Sequence, residues 1–126
     1  MKALYWAIAV LLLLIAVCIA SVAYIVNSAA YIGEPLPELQ EALADEDWPR
    51  AELLFGDSYA RWQQAREIWP LLINHDDMRD IEVSYIDTQT VLTQQSAAKA
   101  QKEVAALEFY IQHVAENERV SWQSVI

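Results

Sequence analysis

The sequence predicts an all-α protein: an N-terminal transmembrane helix followed by a small antiparallel helical bundle of about four helices in two hairpins. Three observations carry that expectation. No charged residue occurs from Ala3 to Gly33, and Ala3 to Val26 is almost purely apolar. Glycine occurs only at Gly33 and Gly56, and nothing beyond the apolar run shows sustained strand alternation. Apolar residues recur there at steps of three and four, the spacing of one helix face.

As a helix, the apolar run of about 24 residues reaches roughly 36 Å, whereas a bilayer's hydrocarbon core is about 30 Å thick. It therefore suffices to span with some tilt. A cleaved secretory signal is the rival, since Ser28-Ala29-Ala30 resembles a small-residue cleavage site and cutting would follow Ala30. Two features favour an uncleaved anchor. The run is about twice the length of a signal's apolar region, and Tyr5, Trp6, Tyr24 and Tyr31 mark its ends with rings that settle at membrane interfaces. Lys2 precedes the span and Arg50 is the first cation after it, which places the N-terminus in the cytoplasm and the following domain outside. The chain so divides into an anchor over 1–32 and an acidic extracytoplasmic domain over 33–126.

That domain holds all 18 acidic residues of the chain. Setting Lys2 aside from the formal net charge of −10 leaves −11 for the domain. Such a surface repels phosphate backbones, so nucleic acid is not an expected partner. The only cysteine, Cys18, lies inside the apolar run, which excludes an intradomain disulfide.

Four apolar stripes order the domain. Leu36, Leu39 and Leu43 form the first, and Ala51, Phe55, Ser58, Trp62, Ala65, Trp69 and Leu72 the second. Met78, Ile81, Tyr85, Thr88 and Leu92 form the third, and Ala100, Val104, Leu107, Ile111 and Val114 the fourth. Each covers one face only, so none of these helices buries itself alone. Pro35 and Pro37 oppose helical continuation out of the anchor. Asp47 is placed to cap the second helix with Pro49 in its first turn, Asp76 or Asp77 the third, and Ser96 the fourth. Pro70 predicts a kink around Arg66 to Trp69, with the helix resuming to about Asn74. Leu43, Asp47, Ala51 and Phe55 recur about 49 residues later as Leu92, Ser96, Ala100 and Val104, which suggests two similar helix pairs.

Residues able to carry chemistry are few. His75 with Asp76 and Asp77 forms the most polar cluster near a helix boundary, and His113 is the only other histidine. If the second and fourth helices lay side by side, His75 and His113 could share a metal with Asp77 or Glu108. Zinc wants three or four such ligands, and the spacing matches neither HExxH nor a paired ExxH bundle site. The bland reading, a capping cluster and a histidine on a helix face, is preferred, and no metal or cofactor is assigned. Trp62 and Trp69 are one heptad apart and read as core. Trp48 and Trp122 flank helix ends and are the candidate partner-binding residues, since tryptophan is favoured at interaction hot spots. Ser58, Ser84 and Ser121 have no nearby histidine and acid to mark a nucleophile, and no glycine-rich phosphate loop occurs. An enzyme is not expected.

Several of these residues together resemble a family. The pattern Asp47-Trp48-x-x-Ala51, Tyr59-x-x-Trp62, Trp69-x-Leu71-Leu72-Ile73-x-His75 and Met78-x-x-Ile81-Glu82 continues with Ala100, Leu107-x-Phe109-x-Ile111-x-His113 and Glu118-x-x-x-Ser121. It is similar to the small bacterial membrane proteins grouped as domain of unknown function 4363. The resemblance implies a single-pass membrane protein with a helical domain and no assigned activity. The expected role is a membrane-anchored interaction module of the bacterial envelope. Its expected partners are the lipid bilayer and another membrane or envelope protein. The alternative is an extracytoplasmic sensor of a small ligand or metal.

Overall fold

The computed structural model describes residues 1–125, with side chains through Val120. Among these the chain is all-α: α1 (Lys2–Gly33), α2 (Leu36–Ala44), α3 (Trp48–Ala65), a single 3-10 turn at Trp69–Leu71, α4 (His75–Thr93) and α5 (Ala97–Val125). The C-terminal third of α1 and α2 together make the first rod of an up-down-up-down four-helix bundle. The antiparallel order is visible in the cross-links. Ser58, Arg61 and Trp69 bond progressively earlier residues of α1, namely Ile32, Tyr31 and Ser28. Ser58 and Trp62 of α3 face Tyr85 and Glu82 of α4. Gln40 of α2 donates to the Gln101 carbonyl near the start of α5. The first rod touches α3 and α5, and α4 touches the same two helices. The helices therefore stand at the corners of a square, with α3 and α5 on a diagonal.

The four stripes point inward. All of them are buried except Leu72 and Met78, which are half-buried against the same core. Trp62, Trp69 and Tyr85 are its largest fully buried side chains. The Trp62 and Trp69 rings meet edge to face at 5.3 Å, a favoured aromatic geometry. Truncating a buried ring of this size typically costs about 3–5 kcal/mol. The core also reaches back into α1, where Ile25, Ala29 and Ile32 are buried. These three lie at steps of four and three, the face that a helix presents to one neighbour.

The α1–α2 joint differs from the expected break. Glu34 (φ −56°, ψ −42°) and Pro35 (φ −74°, ψ −14°) stay right-handed, so the rod is interrupted in its hydrogen bonds and not in its course. Pro35 has no N–H for the Tyr31 carbonyl. Beyond a long bond from the Glu34 amide at 3.4 Å, Arg61 Nη1 donates to that oxygen at 2.8 Å, and Ser58 Oγ donates to the Ile32 carbonyl at 2.9 Å. Donors from α3 thus satisfy acceptors that the proline-rich joint leaves open. The Arg61 guanidinium also lies 4.2 Å from the centroid of the Tyr31 ring and pairs with Glu34 and Asp57.

At the far end, two tight turns close the bundle. Glu46 (φ 54°) and Gln95 (φ 56°) are both left-handed. The Glu46 amide donates to Leu43 O and the Asp47 amide to Ala42 O, the paired bonds of a Schellman stop. The Gln95 amide makes the equivalent bond to Leu92 O. The sequence echo therefore has a structural counterpart, the same helix–turn–helix joint used twice.

Two local expectations are corrected. Pro70 does not kink a continuing helix: α3 stops at Ala65, and the chain crosses to α4 through the Trp69–Leu71 turn. With no Pro70 N–H for the Arg66 carbonyl, the α-helical ladder has no reason to resume. The cap of α4 is Asn74, whose side chain accepts from the Asp76 amide at 2.9 Å. Asp76 and Asp77 lie inside the first turn, where their charges suit the positive end of the helix dipole. Asp47 caps α3 as expected, accepting from the Arg50 amide.

Candidate functional site

The most exposed apolar surface is α1 itself. Every residue from Met1 to Ala20 is exposed, including Leu4, Tyr5, Trp6, the Leu11–Leu14 run and Ile19. These residues project about 30 Å beyond the bundle at 1.5 Å per residue. By length and composition this helix can cross a membrane, with a mean hydropathy of 3.0 over its most apolar stretch. Cys18 is exposed on the same projection.

Where α1 enters the bundle, a groove of about 400 Å³ opens between α1 and α5. Its α1 wall is small and apolar, formed by Val26, Ala29, Ala30 and Gly33, and its α5 wall carries Glu108, Ile111, Gln112 and Ala115. Arg119 and Glu116 pair at 3.6 Å along its lower rim. Partial burial on α5 raises the Glu108 carboxyl above the usual glutamate range. Burial and then the nearby Asp77 carboxylate do the same to Glu118. This wall was not singled out by sequence reasoning. Its signal, small residues three and four apart at the end of the apolar run, was submerged in the hydropathy of that run.

A second polar site lies between α3 and α4. Glu82 accepts from Trp62 Nε1 and from Arg66 Nη1, each at 2.6 Å. Deeper in, Tyr85 OH meets Ser58 Oγ at 2.8 Å. Burial pushes the Tyr85 phenol well above its ordinary value; the Ser58 hydrogen bond opposes this, and the Glu82 charge adds to the rise. Both arrangements are satisfied contacts within the core wall, suited to fixing helix register.

The candidate site residues do not converge. His75 is exposed at the first position of α4 and does not end the second helix. His113 is exposed on α5, stacks on Phe109 and bonds Asn117 of its own helix. The approach of the second and fourth helices that would have joined them is not made, because α3 and α5 are diagonal. Among the described residues no group of three or more His, Cys, Asp or Glu side chains could hold a metal. Trp48 is half-buried, packed on the core at the end away from the α1 projection. The Trp122 side chain lies outside the described residues.

A family model described as "Domain of unknown function (DUF4363)" matches residues 19–125. The chain belongs to this family. The family region begins at Ile19, within the exposed projection and just before the first half-buried residues, Ser21 and Val22. It thus takes in the whole bundle and the stretch of α1 that enters it, in accord with the resemblance read from the motifs. No curated protein and no solved structure matches the chain.

Proposed function

We propose that this chain is a membrane-anchored, non-catalytic interaction module of the bacterial envelope, which engages another membrane or envelope protein. The observation that carries the reading is the exposed apolar projection of α1. About 20 residues of uncovered Leu, Ile, Val and Ala surface are costly in water and match the hydrocarbon thickness of a bilayer. Lipid is the medium that covers them. Lys2 before the span favours a cytoplasmic N-terminus, with the bundle on the opposite side. Retention of the anchor is supported by the packing at its foot: cutting after Ala30 would remove Ile25 and Ala29 from the core and Ser28 from the Trp69 indole.

The groove between α1 and α5 is the surface best placed for the partner. Its small α1 residues allow a second helix to approach closely, and its position continues directly from the membrane span. A partner confined to the same bilayer meets this groove at a raised effective concentration, so a modest interface suffices. The test is site-specific photo-crosslinking in intact cells, with the crosslinker at Ala30 in the groove or at Gln89 on exposed α4. The expected result is a discrete adduct with a membrane protein from Ala30 alone, lost when Ala115→Trp fills the groove. Equal adducts from both positions, or none from Ala30, would overturn the assignment. Protease digestion of the bundle in intact cells, as opposed to only after lysis, checks its sidedness.

A second reading, a small-ligand sensor, draws on the groove's volume, which lies within the usual range for ligand pockets. A ligand of the folded state would raise the melting temperature by mass action. A thermal-shift panel of divalent metals and small cations therefore separates the two.

A further inference from the structure

We propose that the connection between α3 and α4, Ile68–Ile73, is a second membrane contact that inserts into the interface of the bilayer spanned by α1. The inference rests on the anchored reading above. Three observations place the connection there.

The first is position. Trp69 Nε1 donates to Ser28 Oγ at 2.9 Å, which fixes the connection against α1. Ser28 lies four residues, or about 6 Å along the helix, beyond Tyr24. A headgroup layer is about 5–7 Å thick on each side of the hydrocarbon. An anchor whose hydrocarbon-spanning part ends near Tyr24 therefore holds this connection at headgroup depth.

The second is composition. Ile68, Pro70 and Leu71 are exposed, Leu71 at 83%, while Leu72 and Ile73 are half-buried. The turns at the opposite end of the bundle, Asp45-Glu46-Asp47 and Gln94-Gln95-Ser96, are wholly polar. Trp69, Leu72 and Ile73 serve the core, but a helix connection facing water has no reason to expose Ile68, Pro70 and Leu71 together; one facing lipid does. The flanking Arg66 is paired with Glu82, and the exposed Glu67 stands ahead of the apolar run.

The third is the backbone. An apolar medium penalises every unsatisfied amide. Of the five amides in the connection, those of Ile68, Leu71, Leu72 and Ile73 bond to carbonyls of Ala65, Ile68 and Trp69 at 2.9–3.1 Å; only the Trp69 amide makes no such bond, and Pro70 has none to satisfy. The 3-10 turn at Pro70 is thus already suited to partial desolvation. Two contacts, a spanning helix and an inserted turn beside it, would fix the orientation of the bundle on the membrane.

Depth-dependent quenching tests this on the full chain in phosphatidylcholine vesicles. An environment-sensitive fluorophore is attached at native Cys18, or at Leu71→Cys or Leu53→Cys in a Cys18→Ser background. Leu53 is 74% exposed in the first half of α3, away from the membrane end. Spin-labelled lipids carry the quencher at the headgroup or mid-chain. The proposal expects Cys18 to be quenched most by the mid-chain label, Leu71→Cys most by the headgroup label, and Leu53→Cys by neither. Loss of emission at Cys18 without loss at Leu71→Cys would sink the second contact and leave the anchor standing. No quenching at Cys18 would remove the anchor and, with it, this proposal. Circular dichroism of Leu71→Cys checks that the exposed substitution leaves the fold intact.

Discussion

Ser58→Ala is the sharpest probe of how α1 is joined to the rest of the bundle. Ser58 is fully buried, and its single hydroxyl proton goes to the Ile32 carbonyl, so Tyr85 OH must donate to Ser58 Oγ. Alanine removes both bonds at once. Leaving a buried polar group unpaired costs about 1–3 kcal/mol. The Ile32 oxygen loses its Ser58 donor. Tyr85 OH keeps only the Ser58 backbone carbonyl, at 3.4 Å. A destabilisation of about 2–3 kcal/mol follows, which for a domain of this size lowers the melting temperature by roughly 8–24 °C. Tyr85→Phe in the Ser58→Ala background removes the stranded hydroxyl, so the double variant should lose less than the sum of the two single variants. The assay is guanidinium unfolding in mild detergent, followed by tryptophan emission. Additive single effects, or a Ser58→Ala loss within about 0.5 kcal/mol, would refute the proposed polar joint.

The two left-handed positions and the two perturbed carboxyls give further tests. Glu46→Gly and Gln95→Gly relieve a conformation that glycine adopts freely, and each should stabilise the bundle by about 0.5–1 kcal/mol in thermal melts, with Glu46→Ala showing no gain. Glu108 and Glu118 have folded values raised above the unfolded one, so the folded state holds their charge less easily than the unfolded chain. Their penalty is present at neutral pH, is relieved as pH falls through the folded values, and is gone below the unfolded value near 4.3. Glu108→Gln should therefore raise the melting temperature at pH 7 and narrow the difference between pH 7 and pH 5. A variant that melts lower at pH 7 would contradict the burial of that carboxyl.

The bundle was legible because each of its helices is half in water. Stripes such as Ala100, Val104, Leu107, Ile111 and Val114 stand out against the polar residues between them. The same contrast is missing in α1. There Ile25, Ala29 and Ile32 sit among mostly apolar residues, broken only by Asn27 and Ser28, and hydropathy does not separate a face turned to the bundle from one turned outward. Pro70 announced a disruption but not its form, because whether a chain kinks or stops depends on what the following residues find to pack against. Here Trp69 finds Ser28 and the core. The cap of α4 went to Asn74 over its acidic neighbours through local backbone geometry, with an extended Asn74 (ψ 141°) directing its side chain at the Asp76 amide. The groove needs two helices brought together from opposite ends of the chain, which no local pattern reveals.

The joint at Pro35 has a mechanical consequence. A mast bolted to a platform by Arg61 and Ser58 offers no slack, so the height of the platform above its footing is set by helix rise alone. Inserting or deleting residues just before Ser21, where α1 is still wholly exposed, would raise or lower the whole assembly by about 1.5 Å each and swing it by about 100° around the mast. The module would then act as a ruler as much as a tether, admitting only those neighbours whose own exposed segments emerge at the matching altitude and bearing.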